Sequence, residues 1–343
     1  MSDERASASV PELQGGSPTG ELALAALAFI ASLRKGSAEY ADKPGGASAL
    51  SGAALVTSAR YITGPFGEED LATERDEILK YLHSKQRASS GAYDDVSRET
   101  PTWRRLNIPL FGWVVRALAM LGGEPEQPVS FLGRWDDPQE LNRWLDLLEW
   151  HRAARQESLR VMNVGVPRVN ALRRGRQDLE DSVQALQAGL QAHQDAASGL
   201  WGPSQGGSLT DGIGATFHVL KIFEAAEWPV PHASNIAATI FDLWRKEEAW
   251  GDVWSDMAAL GILLRVADAS DEIRERSRTV ARGTRPFLLH PSGGQGFAFE
   301  SASDAVTRLE ALRSAGILAD DAETAHLAEW RSAWDPALWV CDW

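Results

Sequence analysis

Two stretches of this chain repeat one pattern 108 positions apart, and that spacing limits the fold more than any other feature. Gln86-Arg-Ala-Ser-Ser-Gly91-Ala-Tyr93 and Gln194-Asp-Ala-Ala-Ser-Gly199-Leu-Trp201 both read glutamine, four residues, glycine, one residue, aromatic. Each follows a helix-like stretch with Leu and His near its end, and each precedes a polar loop and a glycine-containing apolar stretch. Those stretches begin Phe111-Gly112 and Ile213-Gly214, and they place Arg116 and His218 at matched positions. Half the offset is about 54 residues, the length of a helical hairpin, and weaker copies at 249–254 and 293–297 continue the series. Periods of this kind belong to stacked hairpins, each burying its apolar face on the next.

Apolar spacing predicts helices over 21–35, 70–83, 110–121, 138–155, 177–193, 213–226, 234–245, 255–266, 271–282, 304–315 and 322–334. Alternating β-branched runs are scarce, so the expected class is all-α. Residues 1–20, rich in Ser, Gly and Pro, read as a disordered tail. Residues 21–49 read as an N-terminal helix and a flexible connection, and 50–343 as the hairpin domain. The single cysteine, Cys341, forms no internal disulfide, and the acidic N-terminus is unlike a secretory signal. A cytoplasmic location and no membrane span are therefore expected. A net charge of −14 disfavours nucleic acid as a partner. Oligomeric state is not legible.

The glutamine–glycine–aromatic pattern, set in hairpins of this length, resembles the QW repeat of terpene cyclases and, more loosely, the prenyltransferase-like repeats. That resemblance implies an α/α toroid of five or six hairpins over about residues 50–335, with an inner and an outer ring of helices tied together by the Gln/Trp turns. In such a family the repeat residues are structural. The cyclases' catalytic motifs, DxDD and DDxxD, have no match here, since neither Asp94-Asp95 nor Asp136-Asp137 fits them. Cys341 lies outside the repeats, so the zinc set of the protein prenyltransferases is not reproduced.

The residues then have to speak for the chemistry. Thr210-Asp211, Ser255-Asp256 and Ser303-Asp304 recur at spacings of 45 and 48, just after the aromatic turns. As structure, they read as helix caps, with the hydroxyl accepting an amide hydrogen and the Asp favoured by the helix dipole. As chemistry, inner helices of a toroid aim their N-termini at one mouth, where Asp211, Asp256 and Asp304 would serve as acids or bases together with His218. Arg116 and His218 at matched inner positions indicate a polar cavity. Among the 14 tryptophans, Trp113, Trp201 and Trp254 are the candidates for its wall. Asp94, Asp95 and His232 are the loop residues expected at the same mouth. Residues 152–176 hold seven arginines and one acid, Glu157, and read as a solvated face or as a site for an acidic ligand.

No cofactor is called for, and no motif supports a divalent metal. The leading expectation is a small or chain-like substrate, isoprenoid or glycan, in a central acid- and aromatic-lined cavity, with acid-initiated isoprenoid cyclisation as the reaction. Its alternatives are a carbohydrate-active toroid, either glycoside hydrolase or polysaccharide lyase, and a non-catalytic binding scaffold.

Overall fold

The computed structural model describes residues 18–64, 72–93, 103–202, 208–247, 252–289, 299–320, 327 and 330–341. Twelve α-helices account for most of them: α1 Pro18–Ser32, α2 Leu50–Thr63, α3 Ala72–Ser84, α4 Trp103–Met120, α5 Pro138–Asp146, α6 Ala154–Arg173, α7 Glu180–Ala192, α8 Leu209–Ala226, α9 Ala233–Glu247, α10 Val253–Val266, α11 Asp271–Leu289 and α12 Ala302–Ala319. Among the described residues the only sheet is a two-stranded antiparallel hairpin, Tyr40–Ala41 with Ser48–Ala49. The fold is all-α, and no described helix is long and apolar enough to cross a membrane.

Packing sorts these helices into two sets. The even-numbered ones pack in succession, α2 on α4, α4 on α6, α6 on α8, α8 on α10 and α10 on α12, and α12 packs back on α2. Six helices thus close a circuit. They are buried nearly all round, as with 14 of the 18 residues of α12. Such a helix carries apolar residues on every face and so lacks an amphipathic stripe. The odd-numbered α3 buries only Glu74, Ile78 and Leu82, which is the pattern of an outer helix covering the circuit from one side.

The two copies of the repeat fold alike. Gln86 and Tyr93 form an isolated β-bridge, as do Gln194 and Trp201. The side-chain amide of Gln86 donates to Gly91 O (3.0 Å) and to Gln127 O (2.8 Å), and that of Gln194 donates to Gly199 O (2.7 Å) and to Pro231 O (3.1 Å). Each glutamine therefore holds its own turn closed and ties it to the next hairpin. The glycines have φ of 66° and 75°, and a Cβ on Gly91 would lie 2.2 Å from Pro128 O. Only glycine fits both the left-handed backbone and that approach.

Several expectations are corrected. The expected flexible connection holds the small hairpin and leads straight into α2, an inner helix not anticipated. Its small residues are there for close packing: a Cβ on Gly52 would lie 2.4 Å from Tyr40 O, and Ser51 Oγ donates to Asp42. The helix expected over 138–155 ends at Asp146, where Trp150 Nε1 donates back to Leu145 O (3.0 Å), and a new one starts at Ala154. The arginine-rich stretch is mostly α6, a buried inner helix rather than a solvated face. Arg168 is fully buried and bonded to Asp136 and to Leu132 O, Arg160 pairs with Glu157, and Arg173 with Glu227.

The described part of the helix expected over 322–334 is irregular. Residues 330–341 instead run into the circuit, where side chains take up their backbone groups. Arg313 Nε donates to Trp330 O (2.6 Å), Arg116 Nη1 to Ala333 O (2.8 Å), and Asn170 Nδ2 to Pro336 O and Trp339 O (2.8 and 3.0 Å). Glu310 accepts from Ala333 N, and Trp339 Nε1 donates to Asn163 Oδ1 (3.0 Å).

Candidate functional site in the interior of the helix circuit

A cavity of about 280 Å³ opens inside the circuit and is lined by residues from all six even-numbered helices. Arg155, Gln156, Trp254 and Ser303 reach it from the first turns of α6, α10 and α12. A second cavity, of about 500 Å³, is lined from the other ends of α2, α8, α10 and α12. These helices therefore run in the same sense. Trp334 borders both cavities, so the C-terminal segment is the wall between them.

Two cations face the first cavity. Arg116 is buried between the rings of Trp334 and Trp339, its guanidinium carbon 4.3 and 4.7 Å from their centroids. Its Nε donates to Gly112 O (3.1 Å) and its Nη1 to Ala333 O, which leaves Nη2 without a hydrogen bond among the described residues. Burial brings its pKa down to about 9, against a smaller opposing pull from Glu310. Arg155 lies over Trp254, its guanidinium carbon 3.6 Å from the ring centroid. Its ion pair among the described residues is long, 3.9 Å to Asp252, and burial lowers its pKa against smaller opposing pulls from Asp252 and Asp211. A partly desolvated stack of this kind is worth about 0.5–2 kcal/mol. Gly214 makes room for it, since a Cβ there would meet Trp254 at 2.8 Å and Arg155 at 3.0 Å.

His218 sits beside them, buried, its ring 5.4 Å from Trp254 and 6.0 Å from Trp334. Ser158 Oγ lies 3.0 Å from both Arg155 O and His218 Nδ1 and bridges the two. Burial, with Arg155 nearby, pulls the pKa of His218 down to about 3, and the ring is neutral at pH 7.

Of the residues expected at this mouth, Arg116, Trp113, His218 and Trp254 line the cavity. The three repeated aspartates do not line it. Asp211, Asp256 and Asp304 each sit in the first turn of their helix, but the capping residues are Ser208, Asp252 and Ser301, two or three positions earlier than the hydroxyls expected to cap. Asp304 is held by Arg308 (3.1 Å) and Asp256 is buried in α10. Trp201 is fully buried, donates Nε1 to Leu190 O (2.7 Å), and covers the turn of its repeat rather than a cavity. His232 lies at a left-handed turn, φ 52°, whose carbonyl accepts from Asn235 and Ile236 at the start of α9. Asp94 and Asp95 lie outside the described residues. Asp136 and Asp137 hold Arg168 and cap α5.

Sequence reasoning missed Arg155, Gln156 and Trp334. Arg155 was one arginine among seven in a stretch whose helix has no amphipathic signal, and Trp334 arrives from the far end of the chain. Among the described residues no carboxylate lines the cavity, and no three His, Cys, Asp or Glu side chains are grouped to hold a metal. In comparisons with known proteins, no family model, no curated protein and no solved structure matches this chain.

Proposed function

We propose that this chain is an α/α toroid of the terpene-cyclase-like architecture whose chamber at the inner-helix N-termini binds a small organic acid with a flat face, an acidic sugar being the class that fits best. The circuit of six even-numbered helices and the Gln-tied turns support the architecture. One observation carries the ligand: Arg116 and Arg155 face a chamber lined by the indoles of Trp113, Trp254 and Trp334 and, among the described residues, by no carboxylate. A buried guanidinium, Arg116, and a partly buried one, Arg155, with unspent donors favour a carboxylate, which accepts two parallel N–H bonds from one guanidinium. The indole faces suit the apolar side of a sugar ring, and Ser58, Gln156, Ser303 and Thr307 offer partners for its hydroxyls. At about 280 Å³ the chamber is at the small end of ligand pockets, a size for a single ring rather than a polyene chain.

Acid-initiated isoprenoid cyclisation finds no support in this lining, because the proton donor it requires would have to come from Asp211, Asp256 or Asp304. The glycan reading is retained in its binding form.

The test is a thermal-shift comparison of glucuronate with glucose, on the wild type and on Arg155→Ala. A ligand that binds only the folded state raises the midpoint. Glucuronate is expected to raise it while glucose does not, and the variant is expected to lose the difference. Equal shifts with both sugars, or none with either, would refute the reading.

A further inference from the structure

The larger cavity, at the opposite end of the circuit, carries a different pattern of charge. Four cations and three acids line it; each acid has a partner, whereas Arg265 and Arg331 have no ion pair among the described residues. Glu224 is paired with Lys221 (2.9 Å), and Asp335 accepts from Ala337 N (2.9 Å) as the cap of the short turn Pro336–Leu338. Glu310 accepts from Ala333 N and lies 3.4 Å from the hydroxyl of Ser332. By contrast, Arg265 makes no hydrogen bond or ion pair among the described residues. Among the described residues Arg331 has only the face of Tyr61, 5.2 Å away, and Arg313 spends Nε on Trp330 O, makes no hydrogen bond through its terminal nitrogens and lies in the field of Glu310. These three guanidiniums come from the end of α10, from α12 and from the C-terminal segment, and they converge on one cavity.

From this convergence we propose that the larger chamber is a second ligand site, specific for a small molecule bearing a phosphate ester or diphosphate. Helix C-termini repel anions, so unpaired arginines at this end of the circuit offset a field that would otherwise favour a cation. Guanidinium forks match phosphate oxygens two at a time, and three of them exceed what a single carboxylate can accept. The chamber has room for more than the anion alone, and Tyr61, Phe217 and Trp334 give an organic part an aromatic wall. The site shares Trp334 with the acid-binding chamber but uses none of its cations, so the two proposals stand or fall separately.

Inorganic pyrophosphate is the probe, titrated calorimetrically into the full-length protein. Arg265 and Arg331 are exposed, and their replacement by alanine leaves the core intact. Wild type is expected to bind, with Arg265→Ala and Arg331→Ala each weakening the affinity by about tenfold or more and Arg155→Ala leaving it unchanged. Absence of binding at about 1 mM, loss of binding in Arg155→Ala, or binding indifferent to both arginine variants of the larger chamber would each overturn the proposal.

Discussion

Gly199 and Gly45 share nearly the same left-handed backbone, φ 75° and 74°, and differ in what surrounds them. A Cβ on Gly199 would lie 2.7 Å from the backbone nitrogen of Ile236, whereas nothing lies within 4 Å of one on Gly45. Gly45→Ala is therefore expected to cost about 1 kcal/mol, the backbone penalty alone, and Gly199→Ala about 3 kcal/mol or more, because the next hairpin must also move. Urea unfolding of both variants checks this, and equal costs would mean that the repeat glycine serves its own turn only. His218 adds a pH dependence. Its pKa falls from 6.5 unfolded to about 3 folded, so between these values the unfolded chain binds more protons. Stability from this group is complete above pH 6.5 and is lost as pH falls toward 3. From pH 7 to pH 5 the wild type should lose about 2 kcal/mol more than His218→Asn. Identical losses in urea titrations at the two pH values would mean that His218 is not held neutral by burial.

At the level of elements, the C-terminal segment has no regular hydrogen-bond ladder to hold it in place. Asn170 contributes two of its side-chain anchors, so Asn170→Ala leaves two buried carbonyls short of a donor, at a cost of about 1–3 kcal/mol. Digestion by carboxypeptidase should then begin sooner than in the wild type, and an unchanged digestion rate would show that the segment is held by packing alone. Helices with one wet face were legible in the sequence, as over 70–83 and 177–193, because their apolar residues follow a stripe. Inner helices α2 and α6 were not. Burial on every side erases the stripe, and in α2 the small residues that allow close packing have the composition of a linker. The same logic hides the irregular course of residues 330–341, whose partners include side chains more than a hundred positions earlier, such as Arg116 and Asn170.

On the scale of the molecule, the hairpin repeat announced the circuit, while the interior depended on contacts that no local pattern records. Matched positions in the repeat did locate Arg116 and His218 on one cavity, because equivalent residues of the inner helices α4 and α8 face the same interior. Recurrence of Asp211, Asp256 and Asp304 proved to mark helix starts, since a carboxylate in a first turn is stabilised by the helix dipole whether or not a ligand is near. What sets the character of the chamber is instead Arg155, whose ion pair is long, together with a tryptophan delivered by the C-terminal segment. The central claim is that this chamber holds an acid between Arg155, Arg116 and the indole faces. A crystal structure of the protein grown with glucuronate tests it most directly. The account predicts the carboxylate within hydrogen-bond distance of Arg155 and the sugar ring over an indole of Trp254, Trp113 or Trp334. Glucuronate bound anywhere outside that chamber, or an empty chamber at saturating ligand, would contradict it.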